Sequence, residues 1–204
     1  DPSYLVREHD KFEVSINHTE EIKYKAEDIK LDIIYEDNDL LVINKQAGIV
    51  THPAPGNETG TLVQAILHHA ENNLSDINGN KRPGIVHRLD KYTSGVMVIA
   101  KNNFTHTNLV DQFKLHSIKR KYQAIVWGVP AKQTIDGYIE RNKINRKKMS
   151  LNQKGEGKYS KTDIILKQSY KNSSLIECTL HTGRTHQIRL HLTSINAPIV
   201  GDEI

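Results

Sequence analysis

A carboxylate stands among cationic side chains where residues 87–90 read His-Arg-Leu-Asp. Asp90 precedes a Thr-Ser-Gly turn and then an unbroken apolar run, residues 96–100, which is typical of a strand buried on both faces. A carboxylate beside a rigid strand can be held still enough to act as a reactive group. A second interpretation is that Asp90 only caps its turn and pairs with Arg88 or Lys91.

The sequence around Asp90 resembles the catalytic motif of the RluA-type pseudouridine synthases, enzymes that isomerise uridine in structured RNA. The matching stretch is HRLDKYTSG, residues 87–95. Three further stretches resemble motifs of the same family and follow its order along the chain, namely residues 33–55, 121–128 and 181–192. The set of four is far more specific than any one of its members.

The resemblance implies catalytic roles for Asp90, Tyr122 and Arg184. In the family an aspartate does the covalent work, at C1′ of the ribose or at C6 of the base, and the sequence does not choose between these routes. Arg184 matches the arginine whose planar fork would keep this carboxylate ionised. A phosphate contact or a surface ion pair is the alternative for Arg184.

Tyr122 matches the active-site tyrosine of the family. Its ring could stack on a flipped uracil, and its hydroxyl could help to remove the C5 proton. Without the resemblance Tyr122 would be interpreted as a core tyrosine. The target base must leave its stack to reach Asp90, so His87 or Arg88 is predicted to brace the gap that it leaves in the RNA.

Positive charge is concentrated in one part of the chain. The net charge is +4, but residues 1–40 carry 5 Lys/Arg against 12 Asp/Glu, and residues 114–167 carry 14 against 4. Five cations lie within residues 141–148, a density that suits a phosphate backbone. The alternative is a solvated basic face without a partner. We predict RNA contacts from four of these cations, namely Arg141, Arg146, Lys147 and Lys148.

The apolar pattern predicts an α+β fold, in which helices pack on a mixed, mainly antiparallel sheet. A polar turn between two short apolar runs predicts a hairpin within residues 33–43. A capping-box pattern predicts that a helix begins at Thr61. Two more helices are predicted over 103–116 and 184–195. Further strands are predicted at 122–127, 133–139, 149–151, 159–166 and 175–180.

Two domains are predicted. Residues 1–25 contain a short strand at Phe12, Val14 and Ile16 that resembles the last strand of a ribosomal-protein-type RNA-binding domain. This segment is interpreted as a remnant of that domain and its linker. Residues 26–204 would form the catalytic domain with the pseudouridine synthase fold. In the family this domain continues for some tens of residues beyond its equivalent of Asp202, so we expect its C-terminal part to be missing.

Composition favours a soluble, cytoplasmic protein. No apolar run approaches the roughly 20 residues of a membrane span. The first residues, Asp-Pro-Ser-Tyr, lack the pattern of a signal peptide. Cys178 is the single cysteine, which excludes an intrachain disulfide and fits a reducing compartment. Because Cys178 lies in an apolar strand, it is expected to be buried and not to act as a nucleophile.

Metal and nucleotide chemistry find little support in the sequence. The chain has 11 histidines, but it contains no HExxH pattern, no pair of cysteines and no glycine-rich loop that ends in GK[ST]. We therefore expect no metal, no nucleotide and no other cofactor. The expected partner is structured RNA, with no membrane, and the expected state is a monomer.

The predicted function is that of an RNA pseudouridine synthase, which isomerises uridines of ribosomal or transfer RNA through an aspartate nucleophile. One alternative is a non-catalytic RNA-binding or ribosome-assembly factor with the same fold. The presence of Asp90, Tyr122 and Arg184 counts against it. Another alternative is a metal-independent nuclease that uses His87, but the sequence does not identify a second catalytic histidine for it.

Overall fold

The computed structural model describes residues 4–11, 24–70, 74–77, 79, 82–146 and 148–202. In these parts of the chain the elements follow in the order β1 (Ile33–Glu36), β2 (Leu40–Lys45), α1 (Leu62–Ala70), β3 (Gly95–Ala100), α2 (Asn103–Lys114), β4 (Lys121–Trp127), β5 (Gln133–Arg141), β6 (Met149–Asn152), β7 (Lys158–Ser169), β8 (Ser173–Leu180) and α3 (Gln187–Ser194). The predicted α+β class is confirmed. The predicted strand at Phe12, Val14 and Ile16 lies outside the described residues.

A three-stranded antiparallel sheet, ordered β1-β2-β3, forms the first half of the structure. The predicted hairpin is confirmed, since β1 and β2 are joined by a turn in which the Asp37 carboxylate accepts bonds from the Asp39 and Leu40 amides, both 2.8 Å. The residues of β2 alternate in burial, so that Leu41 and Ile43 face a core shared with α1. This core supports the loop that carries Asp90.

The predicted beginning of α1 is confirmed. Gln64 Oε1 accepts bonds from the Thr61 amide at 3.1 Å and from the Thr61 hydroxyl at 2.7 Å. Because the first amides of a helix have no partner inside it, these bonds stabilise the start of α1. The helix buries Leu62, Val63 and Ile66 against the sheet.

Two predictions of burial in this half are wrong. The run at β3 is not buried on both faces, because Val96 is 62% exposed, whereas Met97 and Ile99 are buried. In α2 the predicted apolar side is also wrong at Phe104, which is 79% exposed. The buried residue of α2 is His106. The apolar character of single side chains did not decide which face packs.

A five-stranded antiparallel sheet, ordered β4-β8-β7-β5-β6, forms the second half. Its core contains Ile164, Ile176 and Leu192, and α3 contacts β5, β6 and β7. The predicted burial of Cys178 is confirmed, and this burial raises the pKa of the thiol to about 12. None of the helices in the described residues is both long enough and apolar enough to span a membrane.

The third helix begins later than predicted. It starts at Gln187 instead of Arg184, because His186 has a φ of +57° and residues 184–186 form a turn closed by a bond from the Gln187 amide to the Arg184 carbonyl, 3.1 Å. This shift decides which of the side chains in residues 184–189 face the site of Asp90.

Candidate active site

Asp90 lies in a loop whose backbone is fixed on both sides. The Leu89 side chain is buried in the first core, and its carbonyl accepts a bond from the Thr51 hydroxyl at 3.2 Å. The Lys91 carbonyl accepts bonds from Lys45 Nζ at 3.2 Å and from the Gly48 amide at 2.8 Å. The carboxylate itself remains 26% exposed. The fold therefore holds the backbone of Asp90 in place and leaves its side chain accessible.

Lys45 is a fully buried lysine beside this loop. It follows Leu41 and Ile43 on the inner face of β2, and its Nζ also donates to the carbonyls of Gln46 and Ile49, both at 2.9 Å. Burial lowers the pKa of Lys45, and the charge of Asp90 opposes this effect. Lys45 thus joins the loop after β2 to the loop of Asp90. Sequence reasoning missed it, although the alternation of β2 places it inside.

Two side chains from the other half of the structure face Asp90. Arg189 Nη1 and His186 Nε2 each lie 3.9 Å from Asp90 Oδ2. Burial lowers the pKa of His186, and the charge of Asp90 works against that shift. Both distances exceed hydrogen-bond length, so the positive charge of Arg189 acts on a carboxylate to which neither side chain donates a hydrogen bond.

The predicted pairing of Asp90 with Arg184 is wrong. Arg184 is exposed, its Nε donates to the Tyr159 carbonyl at 2.9 Å, and no described carboxylate lies within 4 Å of its guanidinium. Arg189 occupies the place that Arg184 was predicted to take. The physical reason is the late start of α3, which puts Arg184 in the preceding turn. No local signal separates Arg189 from Arg184, because the start of α3 is held by residues of β7 that are distant in sequence.

The start of α3 is held by the side chain of Gln187. Its Nε2 donates to the Thr162 hydroxyl at 2.9 Å and to the Lys161 carbonyl at 3.0 Å. Its Oε1 accepts a bond from the Thr182 hydroxyl at 2.8 Å. Each polar atom of this buried amide therefore has a partner, which fixes the helix against β7.

The next turn of α3 is held by His191, which is fully buried. Its Nε2 lies 2.9 Å from the Ser160 hydroxyl, which itself donates to the Gly137 carbonyl. His191 must therefore donate from Nε2, and its Nδ1 accepts from the Thr162 hydroxyl at 2.9 Å. Burial lowers the pKa of His191 to about 4, so the ring is neutral at neutral pH. Gln187 and His191 together aim the opposite face of α3, with Arg189, at Asp90.

Tyr122 lies at the junction of the two halves, because its ring packs against both cores. Burial raises its pKa, the positive charge of Arg120 lowers it, and the charge of Asp90 raises it. Its hydroxyl makes no hydrogen bond to another described residue. Tyr122 therefore stays a neutral phenol, with an unpaired hydroxyl in the electrostatic range of Asp90.

His87 and Arg88 differ in their surroundings. His87 Nε2 accepts a bond from the Val98 amide of β3 at 3.1 Å, and its ring lies 4.7 Å from that of Phe113. Burial and the charge of Arg120 lower the pKa of His87 to about 4, so it brings no positive charge to RNA at neutral pH. Arg88 is exposed and has no ion pair with any residue that the structure describes. The RNA contacts of both residues remain predictions.

The predicted basic segment forms the loop between β5 and β6. Arg141, Arg146 and Lys148 are exposed there, and Arg141 Nη1 donates to the Arg146 carbonyl at 2.9 Å. Lys147 lies outside the described residues. The segment projects charge into solvent, and its contact with RNA remains a prediction. Across the described chain, no group of three or more His, Cys, Asp or Glu side chains could hold a metal ion.

Comparison with known proteins gives a consistent result. A sequence profile of the family described as RNA pseudouridylate synthase matches residues 39–194. The protein "Ribosomal large subunit pseudouridine synthase D" of Zymomonas mobilis is 46% identical over 205 residues, which cover 100% of this chain and 65% of that protein. The protein "Uncharacterized RNA pseudouridine synthase YlyB" of Bacillus subtilis is 44% identical over 202 residues, which cover 98% of this chain and 66% of that protein. The chain thus spans just under two thirds of the length of these relatives.

Solved structures agree with the sequence matches. The human protein "RNA Pseudouridylate Synthase Domain Containing 1" superposes with a TM-score of 0.67 at 25% identity, over 85% of this chain and 68% of that one. The human "RNA Pseudouridylate Synthase Domain Containing 4" gives a TM-score of 0.63 at 27% identity, over 84% of this chain and 67% of that one.

Proposed function

Because the chain belongs to the RNA pseudouridylate synthase family, we propose that it isomerises specific uridines of ribosomal RNA to pseudouridine. The observation that carries the proposal is the accessible carboxylate of Asp90, held on a fixed loop and faced by Arg189 at 3.9 Å. The choice of ribosomal RNA is supported by the name of the relative from Zymomonas mobilis. Transfer RNA is the second substrate to be tested.

The reaction needs a nucleophile and a proton acceptor but no change of oxidation state. The N1–C1′ bond of uridine breaks, the base turns, and a C5–C1′ bond forms, while C5 loses a proton and N1 gains one. We assign the covalent step to Asp90, at C1′ or at C6. The attacking group is a carboxylate, and Arg189 and buried Lys45 place positive charge within electrostatic range of it.

Tyr122 is proposed to bind the flipped uracil. Its ring packs against the cores of both halves, within electrostatic range of Asp90, and a phenol ring suits stacking on a base. Its unpaired hydroxyl could accept or relay the C5 proton. Arg189 takes the electrostatic role that the sequence assigned to Arg184.

The exposed cations are proposed to bind the RNA backbone. Arg88, beside Asp90, would brace the gap left by the flipped base, and the loop between β5 and β6 would contact phosphates. Removing a phosphate contact lowers the salt slope of binding by about 0.7 to 0.9. Replacing Arg146 and Lys148 with Ala should flatten that slope, whereas replacing Lys114 and Lys132, which are also exposed, should not. An equal slope in both double variants would show that the loop is only a solvated face.

The domain, the oligomeric state, the cofactor requirement and the compartment of the reaction are proposals as well. We propose that residues 26–204 act as the catalytic domain, as a monomer, without a cofactor and in the cytoplasm. The described site residues come from both halves of a single chain, which supports a monomer. The buried single thiol of Cys178 and the ribosomal name of the Zymomonas relative support the compartment.

The test is the release of tritium from RNA that carries 5-tritiated uridine. The protein should release tritium from large-subunit ribosomal RNA. Asp90→Asn keeps the shape of the side chain but removes its charge, and should reduce the rate by about a thousandfold or more while RNA binding stays within about twofold. Asp163→Asn, which removes a carboxylate paired with His181 away from the site, is the control and should react normally. Normal turnover by Asp90→Asn would refute the assignment of the nucleophile, and release only from transfer RNA would correct the substrate.

A further inference from the structure

The fork of the Arg189 guanidinium is occupied by a second carboxylate. Arg189 Nε donates to Asp202 Oδ2 at 2.7 Å, and Arg189 Nη2 donates to Asp202 Oδ1 at 2.5 Å. This bidentate, charge-assisted pair is the strongest contact that Arg189 makes among the described residues. The nearest approach of the guanidinium to Asp90 is made by Nη1, at 3.9 Å from Oδ2.

Asp202 is placed by the strand that carries Tyr122. The segment before it pairs with β4, where the Trp127 amide donates to the Pro198 carbonyl at 3.0 Å and the Val200 amide donates to the Ile125 carbonyl at 2.9 Å. The Asp202 amide then closes a turn on the Ile199 carbonyl at 3.2 Å. Pairing with β4 therefore positions the backbone of Asp202, and its carboxylate reaches the Arg189 guanidinium from outside α3.

We propose that Asp202 is a positioning residue that holds the Arg189 fork away from Asp90. Without it, the same fork would be free to close on Asp90 and bind both of its oxygens. A carboxylate bound in that way is ionised but stabilised in the ground state, which slows its attack. In this structure, the positive charge of Arg189 acts on Asp90 although Arg189 donates no hydrogen bond to it. The functional part of this inference rests on the proposed function.

The first test is the single-turnover rate at saturating RNA. Asp202→Asn should lower the rate about tenfold or more without changing the dissociation constant for RNA, because no RNA contact is lost. Asp202→Glu keeps both oxygens and the charge, and should stay within about threefold of the unmodified protein. Asp163→Asn is again the matched control and should leave the rate unchanged. A normal rate for Asp202→Asn would overturn the catalytic part of the inference.

A double-mutant cycle shows whether Asp202 acts through Arg189. Arg189→Lys keeps a charge but lacks the fork, so adding Asp202→Asn to it should cause little further loss. Additive losses would show that Asp202 acts by another route and would overturn the inference.

The second test is structural and needs no activity. A crystal structure of Asp202→Asn should place at least one Arg189 nitrogen within hydrogen-bond distance of the Asp90 carboxylate. An unmoved guanidinium would refute the positioning role. If the unmodified protein released no tritium from any RNA, the proposed function would fail, and this structure would still decide whether Asp202 positions Arg189.

Discussion

The two sides of the candidate site are fixed by different chemistry. On the side of Asp90, a buried ammonium, Lys45, gathers three backbone carbonyls. On the side of Arg189, the helix is held by a neutral network built on Gln187 and His191. Lys45, the charged anchor, therefore lies beside the anionic Asp90. The network of Gln187 and His191, the neutral anchor, lies on the helix of the cationic Arg189.

This difference has an electrostatic reason. A positive charge buried near Asp90 attracts the negative charge of the carboxylate, and it acts in a medium that screens less than water. A protonated His191 would instead place a second positive charge on the helix that carries Arg189. Its low pKa avoids this at neutral pH. We therefore expect that removal of the charged anchor costs more stability than removal of the neutral one.

Lys45→Met tests the charged anchor and should have the largest effect. Met has a similar length, but it leaves the partly buried carbonyls of Gln46 and Ile49 without this donor, whereas the Lys91 carbonyl keeps its bond from the Gly48 amide. Since each unpaired group costs about 1–3 kcal/mol, we expect a loss of about 3 kcal/mol in the free energy of unfolding. Urea denaturation measures it, with Lys132→Met at an exposed position as the control. A loss below about 1 kcal/mol would show that the two anchors do not differ as described.

The neutral anchor should respond to pH. The pKa of His191 is about 4 in the folded protein and about 6.5 in the unfolded chain, so the unfolded chain binds the proton more readily. The stability from neutral His191 is therefore complete above pH 6.5 and is lost as the pH falls towards 4, at up to about 1.4 kcal/mol per pH unit.

His52 and His87 also have a pKa lowered to about 4, so the whole protein should show the same trend. The contribution of His191 is the difference in pH slope between the unmodified protein and His191→Gln. The slope should become smaller in His191→Gln, as measured by urea denaturation between pH 7 and 5. Equal slopes would mean that His191 is not held neutral by the fold.

The parts of the fold that the sequence predicted depend on local signals. The turn at Asp37 and the cap at Thr61 are set by side chains within four residues, and both were found. The alternation of β2 also predicts that Lys45 points inward, but the usual exposure of lysine hides this. The start of α3 was missed because Gln187 is held by residues of β7 that are distant in sequence. Asp202 was missed because only the pairing of residues 198–200 with β4 brings it to Arg189.

Arg184→Lys should have the smallest effect of these substitutions, and Arg189→Lys is its counterpart inside the site. Arg184 is exposed and donates to a single carbonyl, that of Tyr159, which a lysine can also reach. Arg184→Lys should therefore change the single-turnover rate by less than about threefold, or about 0.7 kcal/mol. Arg189→Lys loses the fork that binds Asp202 and should lower the rate about tenfold or more. If instead Arg184→Lys were the slow variant, Arg184 would have to reach the substrate from outside the Asp90 site. The neutral network would then serve the stability of α3 alone.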